Sequence, residues 1–151
     1  MVKIFLSGCN GRMGQVIVSC VSAREGCEIV AGADLFCEQK NGFPVYSSIK
    51  DFDGECDVII DFSNPDALDS LLDYATSKKI PAVLATTGYS EEQKQKVFNA
   101  SKIAPIFYTS NMSIGVNLIA ELCKRAATVL EDDFDIEIVE AHHNQKLDAP
   151  S

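Results

Sequence analysis

The feature of this sequence that most constrains its fold is a glycine-rich loop between an apolar segment and an amphipathic one. Residues 2–6 (VKIFL) predict a buried strand, and glycines follow at positions 8, 11 and 14. Residues 11–22 then carry apolar side chains at i, i+3 and i+4 spacing, which predicts a helix. Glycines at such a turn let the chain bend sharply and let a pyrophosphate approach the backbone amides at the helix N-terminus. Alone, the loop is also consistent with a plain tight turn.

The rest of the chain repeats the alternation of strand and helix. Apolar segments at 28–33, 57–62, 81–85 and 105–108 predict further strands. Helices are predicted at 65–79, at 90–102 after a capping box that starts at Ser90, and at 114–130. This order predicts an α/β fold with a Rossmann-like parallel sheet and helices on both faces. The apolar stripe of the last helix, expected to face inward, consists of Val116, Ile119, Ala120, Cys123, Ala127 and Leu130.

A change of pattern near residue 132 predicts a domain boundary. Residues 134–140 alternate between apolar and acidic side chains, which is typical of a half-exposed strand in an open sheet. We therefore expect a dinucleotide-binding domain at residues 1–131 and the start of an α+β domain at residues 132–151.

Composition excludes several classes of protein. Apolar residues make up 46% of the chain and charged residues 23%, which is the usage of a globular protein. The net charge of −9 argues against nucleic acid or an anionic membrane as a partner. We expect neither a membrane helix nor a signal peptide, because apolar runs are short. The six cysteines form no C-x-x-C pair or metal-ligand spacing, so we expect free thiols in a cytoplasmic protein without a metal site.

Polar residues at the predicted carboxyl ends of strands are candidates for ligand binding. Asp34 ends the second strand, 20 residues after Gly14, where a carboxylate can accept hydrogen bonds from a ribose 2′-hydroxyl. The segments 86–88 and 110–115 follow two later strands. Their small hydroxyls, amide and glycines suit a flat ring and its carboxamide. Taken singly, each segment is equally explained as a loop or a helix cap.

Both histidines of the chain lie in its last residues, together with one lysine. A histidine such as His142 can donate or accept a proton near neutral pH. Lys146, three residues beyond His143, can hold a carboxylate or give a proton. Adjacent side chains on a strand point to opposite faces, which argues against His142 and His143 as joint metal ligands. The alternative is a pair of exposed loop histidines without a catalytic role.

Taken together, these motifs resemble one family of reductases. The chain is similar to the 4-hydroxy-tetrahydrodipicolinate reductase (dihydrodipicolinate reductase) family of bacterial lysine and diaminopimelate biosynthesis, and the resemblance runs from its first to its last residue. The glycine loop alone is a weak signal, whereas the last motif is highly specific. The motifs are residues 8–14 (G-x-x-G-R-M-G), 60–63 (I-D-F-S), 86–88 (T-T-G), 111–117 (N-M-S-I-G-V-N) and 140–151 (E-A-H-H-x-x-K-x-D-A-P-S).

The resemblance implies an activity, an assembly and a set of site residues. It implies hydride transfer from NADH or NADPH to a cyclic unsaturated dicarboxylate, in a homotetramer with a smaller substrate and tetramerisation domain. It places His142 at the acid/base position, Lys146 at the proton-donor position and His143 at a substrate-carboxylate position. The implied cofactor positions are Gly8, Cys9, Asn10, Gly11, Arg12, Met13, Asp34, Ala85, Thr86, Thr87, Thr109, Ser110, Asn111 and Met112.

A few residues depart from the family pattern. Leu35 follows Asp34 where some members carry an Arg that could pair with a 2′-phosphate, so we expect NADH to be preferred over NADPH. Ala85 stands where the family often has Gly, and Met112 replaces a common Phe, which loosens packing on the nicotinamide. The family continues beyond D-A-P-S, so we expect this chain to be truncated within the substrate domain.

A different class of function is also compatible with the glycine loop. A non-catalytic dinucleotide-binding module, such as a redox-sensing regulator, would keep this loop. Nothing would require such a module to keep the E-A-H-H-x-x-K segment at residues 140–146, whose presence favours the enzyme.

Overall fold

The computed structural model describes residues 1–38, 40–130 and 133–141. The chain divides into two compact units, Met1–Ser110 and Asn111–Ser151. Within the described ranges, no helix is both long enough and apolar enough to cross a bilayer.

The first unit is built on a parallel sheet. Six strands belong to it in the part of the chain that the structure describes, and they lie in the order β3-β2-β1-β4-β5-β6. Every neighbouring pair is parallel. This arrangement confirms the predicted Rossmann-like sheet. The strands are β1 (Val2–Ser7), β2 (Cys27–Ala33), β3 (Val45–Tyr46), β4 (Val58–Asp61), β5 (Ala82–Leu84) and β6 (Ile106–Tyr108).

Three helices follow strands of this sheet, close to their predicted bounds. They are α1 (Arg12–Ser22), α2 (Leu68–Lys78) and α3 (Glu91–Ala100). The predicted capping box of α3 is present: Ser90 Oγ accepts from the Gln93 amide at 3.2 Å, and Gln93 Oε1 accepts from the Ser90 amide at 3.0 Å. A 3-10 turn, Pro65–Ala67, precedes α2 where the sequence predicted its first α-helical turn.

The central strands are covered by helices on both faces. Phe5 packs in one apolar cluster with Leu71 of α2 and Val97 of α3. The next residue, Leu6, packs in a second cluster with Ile17 of α1. Because successive side chains of a strand point to opposite faces, the two clusters lie on opposite sides of the sheet. The strands are therefore apolar on both faces, as the sequence predicted for 57–62.

The strand order reverses direction between β1 and β4. From β1 the chain builds outward through β2 and β3, and it then returns to add β4, β5 and β6 on the other side. The loops after β1 and β4 consequently diverge and leave a crevice at the carboxyl ends of the strands, where open α/β sheets bind their ligands.

The second unit contains α4 (Ile114–Leu130), whose bounds match the prediction. Its apolar stripe does not match: Ile119 is 62% exposed and Leu130 38% exposed, and α4 has no buried residue. The expectation that this stripe faces inward is therefore wrong for this chain. A helix buries its apolar face only against another element, and the described part of this unit contains no second helix or strand.

The strand predicted at residues 134–140 is also absent. Residues 135–141 carry no regular secondary structure, and Ile138 and Val139 are 84% and 92% exposed. A strand is stable only when its backbone groups pair with a neighbouring strand, and none is available to this segment among the described residues. The domain boundary expected near residue 131 stays a prediction, because residues 131 and 132 lie outside the described ranges.

Candidate functional site

The glycine loop after β1 is packed so closely that two of its positions admit only glycine. Gly8 has φ +77°, and a Cβ there would overlap the backbone of Phe62 and Ser63. A Cβ at Gly14 would overlap the carbonyl oxygens of Gly8 and Cys9. The Gly8 amide also donates to the Ala33 carbonyl at 2.8 Å, which ties the loop to the end of β2. The turn is therefore determined by contacts with its neighbours as well as by its own sequence.

The loop ends at a helix N-terminus with no side-chain cap. Gly11 is the N-cap residue of α1 and has extended backbone angles, φ −71° and ψ 169°. Among the described residues no side chain accepts from the first amides of α1, and no acidic residue lies in its first turn. The exposed Arg12 begins the helix. Free amides, the positive end of the helix dipole and an adjacent guanidinium together form a site suited to an anion such as a pyrophosphate.

Cys9 contributes to the loop through its backbone and its packing. Its side chain is fully buried, and a Cβ added at Gly32 would come within 2.7 Å of Cys9 Sγ. Burial, and then the charge of Asp34, raises the pKa of the Cys9 thiol to about 11. The thiol is therefore neutral at neutral pH. Gln15 of α1 donates to the Cys9 carbonyl at 2.8 Å and fixes the loop from the other side.

Asp34 and Asn10 join the glycine loop to the segment after β2. Asp34 Oδ2 accepts from the Asn10 amide at 2.9 Å, and Asp34 Oδ1 accepts from the Phe36 amide at 3.3 Å. Asn10 Nδ2 donates to the carbonyl oxygens of Phe36 at 2.7 Å and Glu38 at 2.9 Å. The Asn10 side chain thus orders the segment after Asp34, and Asp34 itself is half-buried at the crevice.

A cleft of about 220 Å³ lies beside Asp34 at the carboxyl ends of β1, β2 and β4. Its charged lining residues are Asp34 and Asp66, and several serines and Asn64 complete its polar surface. Among the described residues no Lys or Arg lines it. Hydroxyl groups of a sugar can donate to such a surface, whereas an additional phosphate would meet two carboxylates.

The segment after β5 is fixed by a buried carboxylate. Thr86 is 3% exposed, and its hydroxyl donates to Asp61 Oδ2 at 2.7 Å. The Tyr89 hydroxyl donates to the same oxygen at 3.3 Å, and burial together with the Asp61 charge raises the pKa of Tyr89. Ala85 is also buried, whereas Thr87 is exposed. Of this predicted cofactor segment, only the Thr87 side chain is therefore presented to solvent.

Residues 109–112 continue from β6. The Thr109 amide donates to the Leu84 carbonyl at 3.1 Å, and Ser110 is exposed. In the second unit, Asn111 Oδ1 accepts from the Ser113 amide at 2.8 Å, and Met112 is 41% exposed. Ser113 Oγ accepts from the Val116 amide at 3.3 Å, so this residue caps α4.

The predicted catalytic and substrate residues His142, His143 and Lys146 lie outside the described residues. Across the described ranges no group of His, Cys, Asp or Glu side chains is arranged to hold a metal ion.

The site residue that sequence reasoning missed is Asp61. The I-D-F-S segment at residues 60–63 contributes to the family resemblance, but that resemblance assigns no role to its carboxylate. A signal was present in the sequence: an ionisable residue ends an otherwise apolar strand, at the edge of the sheet where ligands bind.

The chain matches two family models in succession. Residues 2–112 match the model described as dihydrodipicolinate reductase, N-terminus, and residues 115–151 match dihydrodipicolinate reductase, C-terminus. The chain belongs to the dihydrodipicolinate reductase family. The resemblance that the sequence motifs indicated is thereby confirmed.

Curated members of the dihydrodipicolinate reductase family extend beyond this chain. The 4-hydroxy-tetrahydrodipicolinate reductase of Clostridium novyi is 50% identical over 151 residues, which are 100% of this chain and 60% of that protein. That of Clostridium tetani is also 50% identical, over 100% of this chain and 59% of that protein. The chain therefore spans about 60% of the length of these relatives.

A solved dihydrodipicolinate reductase shares the fold of this chain. The dipicolinate-bound enzyme from Paenisporosarcina sp. TG-14 superposes with a TM-score of 0.76 and 28% identity, over 100% of this chain and 62% of that one. The WlbA dehydrogenase from Bordetella pertussis, in complex with NADH and UDP-GlcNAcA, has a TM-score of 0.64 and 14% identity. That match covers 83% of this chain and 42% of the dehydrogenase, and it shows a common fold alone.

Proposed function

We propose that this chain carries the dinucleotide-binding part of an NAD(P)H-dependent enzyme that reduces 4-hydroxy-tetrahydrodipicolinate to tetrahydrodipicolinate in lysine and diaminopimelate biosynthesis. The observation that carries the proposal is the glycine loop, where Gly8 and Gly14 pack without room for a Cβ before an uncapped helix N-terminus. A second support is the name of the relatives that match the whole chain at 50% identity.

The residues after β1 and β2 fit the ADP-ribose half of the dinucleotide. The first amides of α1 bind the pyrophosphate, and Arg12 adds a positive charge beside it. Asp34 accepts hydrogen bonds from the ribose of adenosine, since its two oxygens each retain acceptor capacity beyond the Asn10 and Phe36 amides. The cleft of about 220 Å³ next to Asp34 takes the sugar.

The residues after β5 and β6 belong to the nicotinamide half. A sheet in this order binds the two halves of a dinucleotide on either side of the point where the strand order reverses. Thr87 is exposed there. The family resemblance also places Ala85 and Thr86, whose side chains are buried, at cofactor positions. The family resemblance assigns Thr109, Ser110, Asn111 and Met112 to the same cofactor.

The family resemblance assigns the chemistry of the reaction to residues 142–146. The 4-hydroxyl group of the substrate leaves as water to give a conjugated ring, and when bound the nicotinamide cofactor would supply a hydride to one carbon of that ring. His143 binds a substrate carboxylate, His142 serves as acid/base, and Lys146 gives the proton that a second carbon receives.

The cofactor is NADH in preference to NADPH. A 2′-phosphate would lie against the carboxylate of Asp34, and Asp66 adds a second negative charge to the cleft. Leu35, the residue after Asp34, has no positive charge to offset this repulsion.

The complete enzyme is a cytoplasmic homotetramer. The family resemblance supports this assembly, and the free cysteines support a reducing compartment. The net charge of −9 argues against nucleic acid or an anionic membrane as a partner, and the family resemblance supports a small-molecule dicarboxylate substrate.

Oxidation of NADH in the presence of enzymatically generated substrate tests the proposal, with NADH binding measured on the same samples. We expect saturable NADH binding by this chain, and substrate-dependent oxidation by the complete enzyme whose dinucleotide-binding part it carries. The Lys146→Ala variant should lose most turnover and keep NADH affinity, whereas Lys124→Ala, at an exposed lysine of α4, should keep both. Binding without oxidation by the complete enzyme would favour the non-catalytic dinucleotide-binding module, and absence of both would contradict the proposal.

A further inference from the structure

Asp61 is a fully buried carboxylate at the end of β4. Its solvent exposure is 0%, and within the part of the chain that the structure describes it forms hydrogen bonds with three side chains. Asp61 Oδ2 accepts from Thr86 at 2.7 Å and from Tyr89 at 3.3 Å, and Asp61 Oδ1 accepts from the amide of Ser63 at 3.2 Å and from its hydroxyl at 2.5 Å. Burying an ionisable group costs free energy unless such partners compensate for the lost water.

The hydrogen-bond donors to Asp61 are neutral. Among the described residues, no Lys or Arg forms an ion pair with it. An apolar residue at the end of a buried strand would give the same packing at a lower desolvation cost. What the carboxylate adds is direction, because each of its two oxygens holds a different loop in one position.

Two loops of the crevice meet at Asp61, and a third packs against one of them. The Oδ2 atom holds the segment after β5 through Thr86 and Tyr89. The Oδ1 atom holds Ser63 in the loop after β4, and the backbone of that loop leaves no room for a Cβ at Gly8. The carboxylate thus links the segment after β5 to the glycine loop through a chain of direct contacts.

Thr86 and Thr87 have opposite orientations in this arrangement. Thr86 is turned inward to Asp61, and Thr87 is exposed. Gly88 follows with φ +81°, a conformation that L side chains rarely adopt. With the Thr86 hydroxyl anchored and a glycine turn on its other side, the direction in which Thr87 and its amide are presented is fixed.

We propose that Asp61 is a positioning residue that, through the Thr86 and Tyr89 hydroxyls, sets the segment after β5 for the nicotinamide half of the dinucleotide. This inference rests on the proposed function. It distinguishes the two halves of the cofactor. The hydrogen bond between Thr86 and Asp61 should contribute to NADH affinity but not to ADP-ribose affinity, because ADP-ribose lacks the nicotinamide ring and binds through the glycine loop and Asp34.

The test compares NADH and ADP-ribose affinities of Thr86→Val, which keeps the shape of the side chain and removes its hydroxyl. Loss of this donor leaves a buried carboxylate oxygen short of a partner, so we expect NADH to bind about tenfold more weakly. ADP-ribose affinity should stay within about twofold of wild type. Thr86→Ser, which keeps the hydroxyl, should bind both ligands like wild type.

Val97→Ala serves as the control for a general loss of stability. Val97 is a buried residue of α3 in the apolar cluster that also contains Tyr89, and its side chain has no group that could form a hydrogen bond with Asp61. The positioning role is wrong if Val97→Ala lowers NADH affinity relative to ADP-ribose affinity as Thr86→Val does. It is also wrong if Thr86→Val lowers the affinity for both ligands equally.

Should Thr86→Val fail to fold, Tyr89→Phe takes its place. Tyr89→Phe should lower NADH affinity selectively by about threefold, because the hydrogen bond between the Tyr89 hydroxyl and Asp61 is longer, at 3.3 Å. Equal affinities in Tyr89→Phe and wild type would then overturn the inference.

These outcomes separate the inference from the proposed function. A wild-type protein that binds ADP-ribose and NADH, with a Thr86→Val variant that does not discriminate between them, contradicts only the role of Asp61. A folded wild-type protein that binds neither ligand contradicts the proposed function, and the inference with it.

Discussion

The backbone amide of Asn10 donates a hydrogen bond to Asp34 Oδ2 over 2.9 Å and thereby joins the glycine loop to the end of β2. The other carboxylate oxygen accepts from the Phe36 amide at 3.3 Å. An ionised carboxylate has about four acceptor positions, so two remain for the hydroxyls of a ribose. Asp34 is therefore held in place by the protein before a dinucleotide binds.

Removing the Asp34 carboxylate should lower the affinity for NADH more than the affinity for NADPH. The Asp34→Ala variant loses charge-assisted hydrogen bonds to the ribose, so we expect NADH affinity to fall about tenfold or more. The affinity for NADPH should fall less, because the repulsion between its 2′-phosphate and the Asp34 carboxylate disappears as well. Fluorescence titration with both cofactors measures the change. Asp53→Ala removes the same charge at an exposed position and should leave both affinities unaltered. Tighter binding of NADPH than of NADH by the wild type would contradict this account of cofactor choice.

A methyl group at Gly8 should destabilise the protein far more than one at Gly26. Both glycines have positive φ, +77° and +88°, so both substitutions to Ala carry a backbone cost of about 1–2 kcal/mol. Only at Gly8 would the new Cβ also overlap the backbone of Phe62 and Ser63, whereas nothing lies within 4 Å at Gly26. We expect Gly8→Ala to lower the free energy of unfolding by about 2 kcal/mol more than Gly26→Ala. Denaturant unfolding of the two variants checks this, and equal losses would show that the loop is not packed as described.

The stability of the protein should decrease at alkaline pH through its buried thiols. Burial, and then the charge of Asp57, raises the pKa of Cys56 from 9.0 to about 11. Unfolded molecules release this proton near pH 9, whereas folded molecules keep it, so the free energy of unfolding falls as the pH rises from about 9 to about 11. Cys56→Ala should show a smaller fall than wild type over that interval. Cys20→Ala, at an exposed thiol, should match wild type, and a fall in Cys56→Ala as large as that of wild type would contradict the buried thiol.

The capping box of α3 should make a measurable contribution to stability. Ser90→Ala removes the oxygen that accepts from the Gln93 amide, and we expect it to lower the free energy of unfolding by about 1 kcal/mol. Ser101 follows the last turn of the same helix, and its hydroxyl donates to the Phe98 carbonyl in an exposed position. Ser101→Ala should therefore change stability by less than about 0.5 kcal/mol, as most surface substitutions do. Thermal or denaturant unfolding would reject the role of the cap if both serine variants behaved alike.

Periodicity predicted most of the sheet and its helices because those elements bury one apolar stripe or two apolar faces. It missed β3 (Val45–Tyr46), since two residues are too few to show a period. The apolar stripe of α4 predicted the helix correctly but not its burial, because a periodic pattern specifies a face and does not supply the surface that covers it. The alternation at residues 134–140 likewise indicates strand propensity, and pairing depends on a partner strand.

The sequence predicted the glycine loop and Asp34 because each is tied to local chain geometry. It did not distinguish Thr86 from Thr87, although the structure buries the first against Asp61 and exposes the second. That difference depends on a contact between residues 25 positions apart, which no local pattern contains. Asn10 is a similar case: a residue predicted at the cofactor holds the segment of Phe36 and Glu38 through its side chain.

The central claim is that the crevice at the carboxyl ends of β1 and β4 binds a nicotinamide dinucleotide. Titration of the purified protein with NADH, followed by cofactor fluorescence and repeated with ADP-ribose as competitor, tests it most directly. We expect one saturable site from which ADP-ribose displaces NADH, with NADH affinity lower by about tenfold or more in Asp34→Ala. A folded protein that shows no saturable NADH binding, or binds NADH without competition from ADP-ribose, would contradict it.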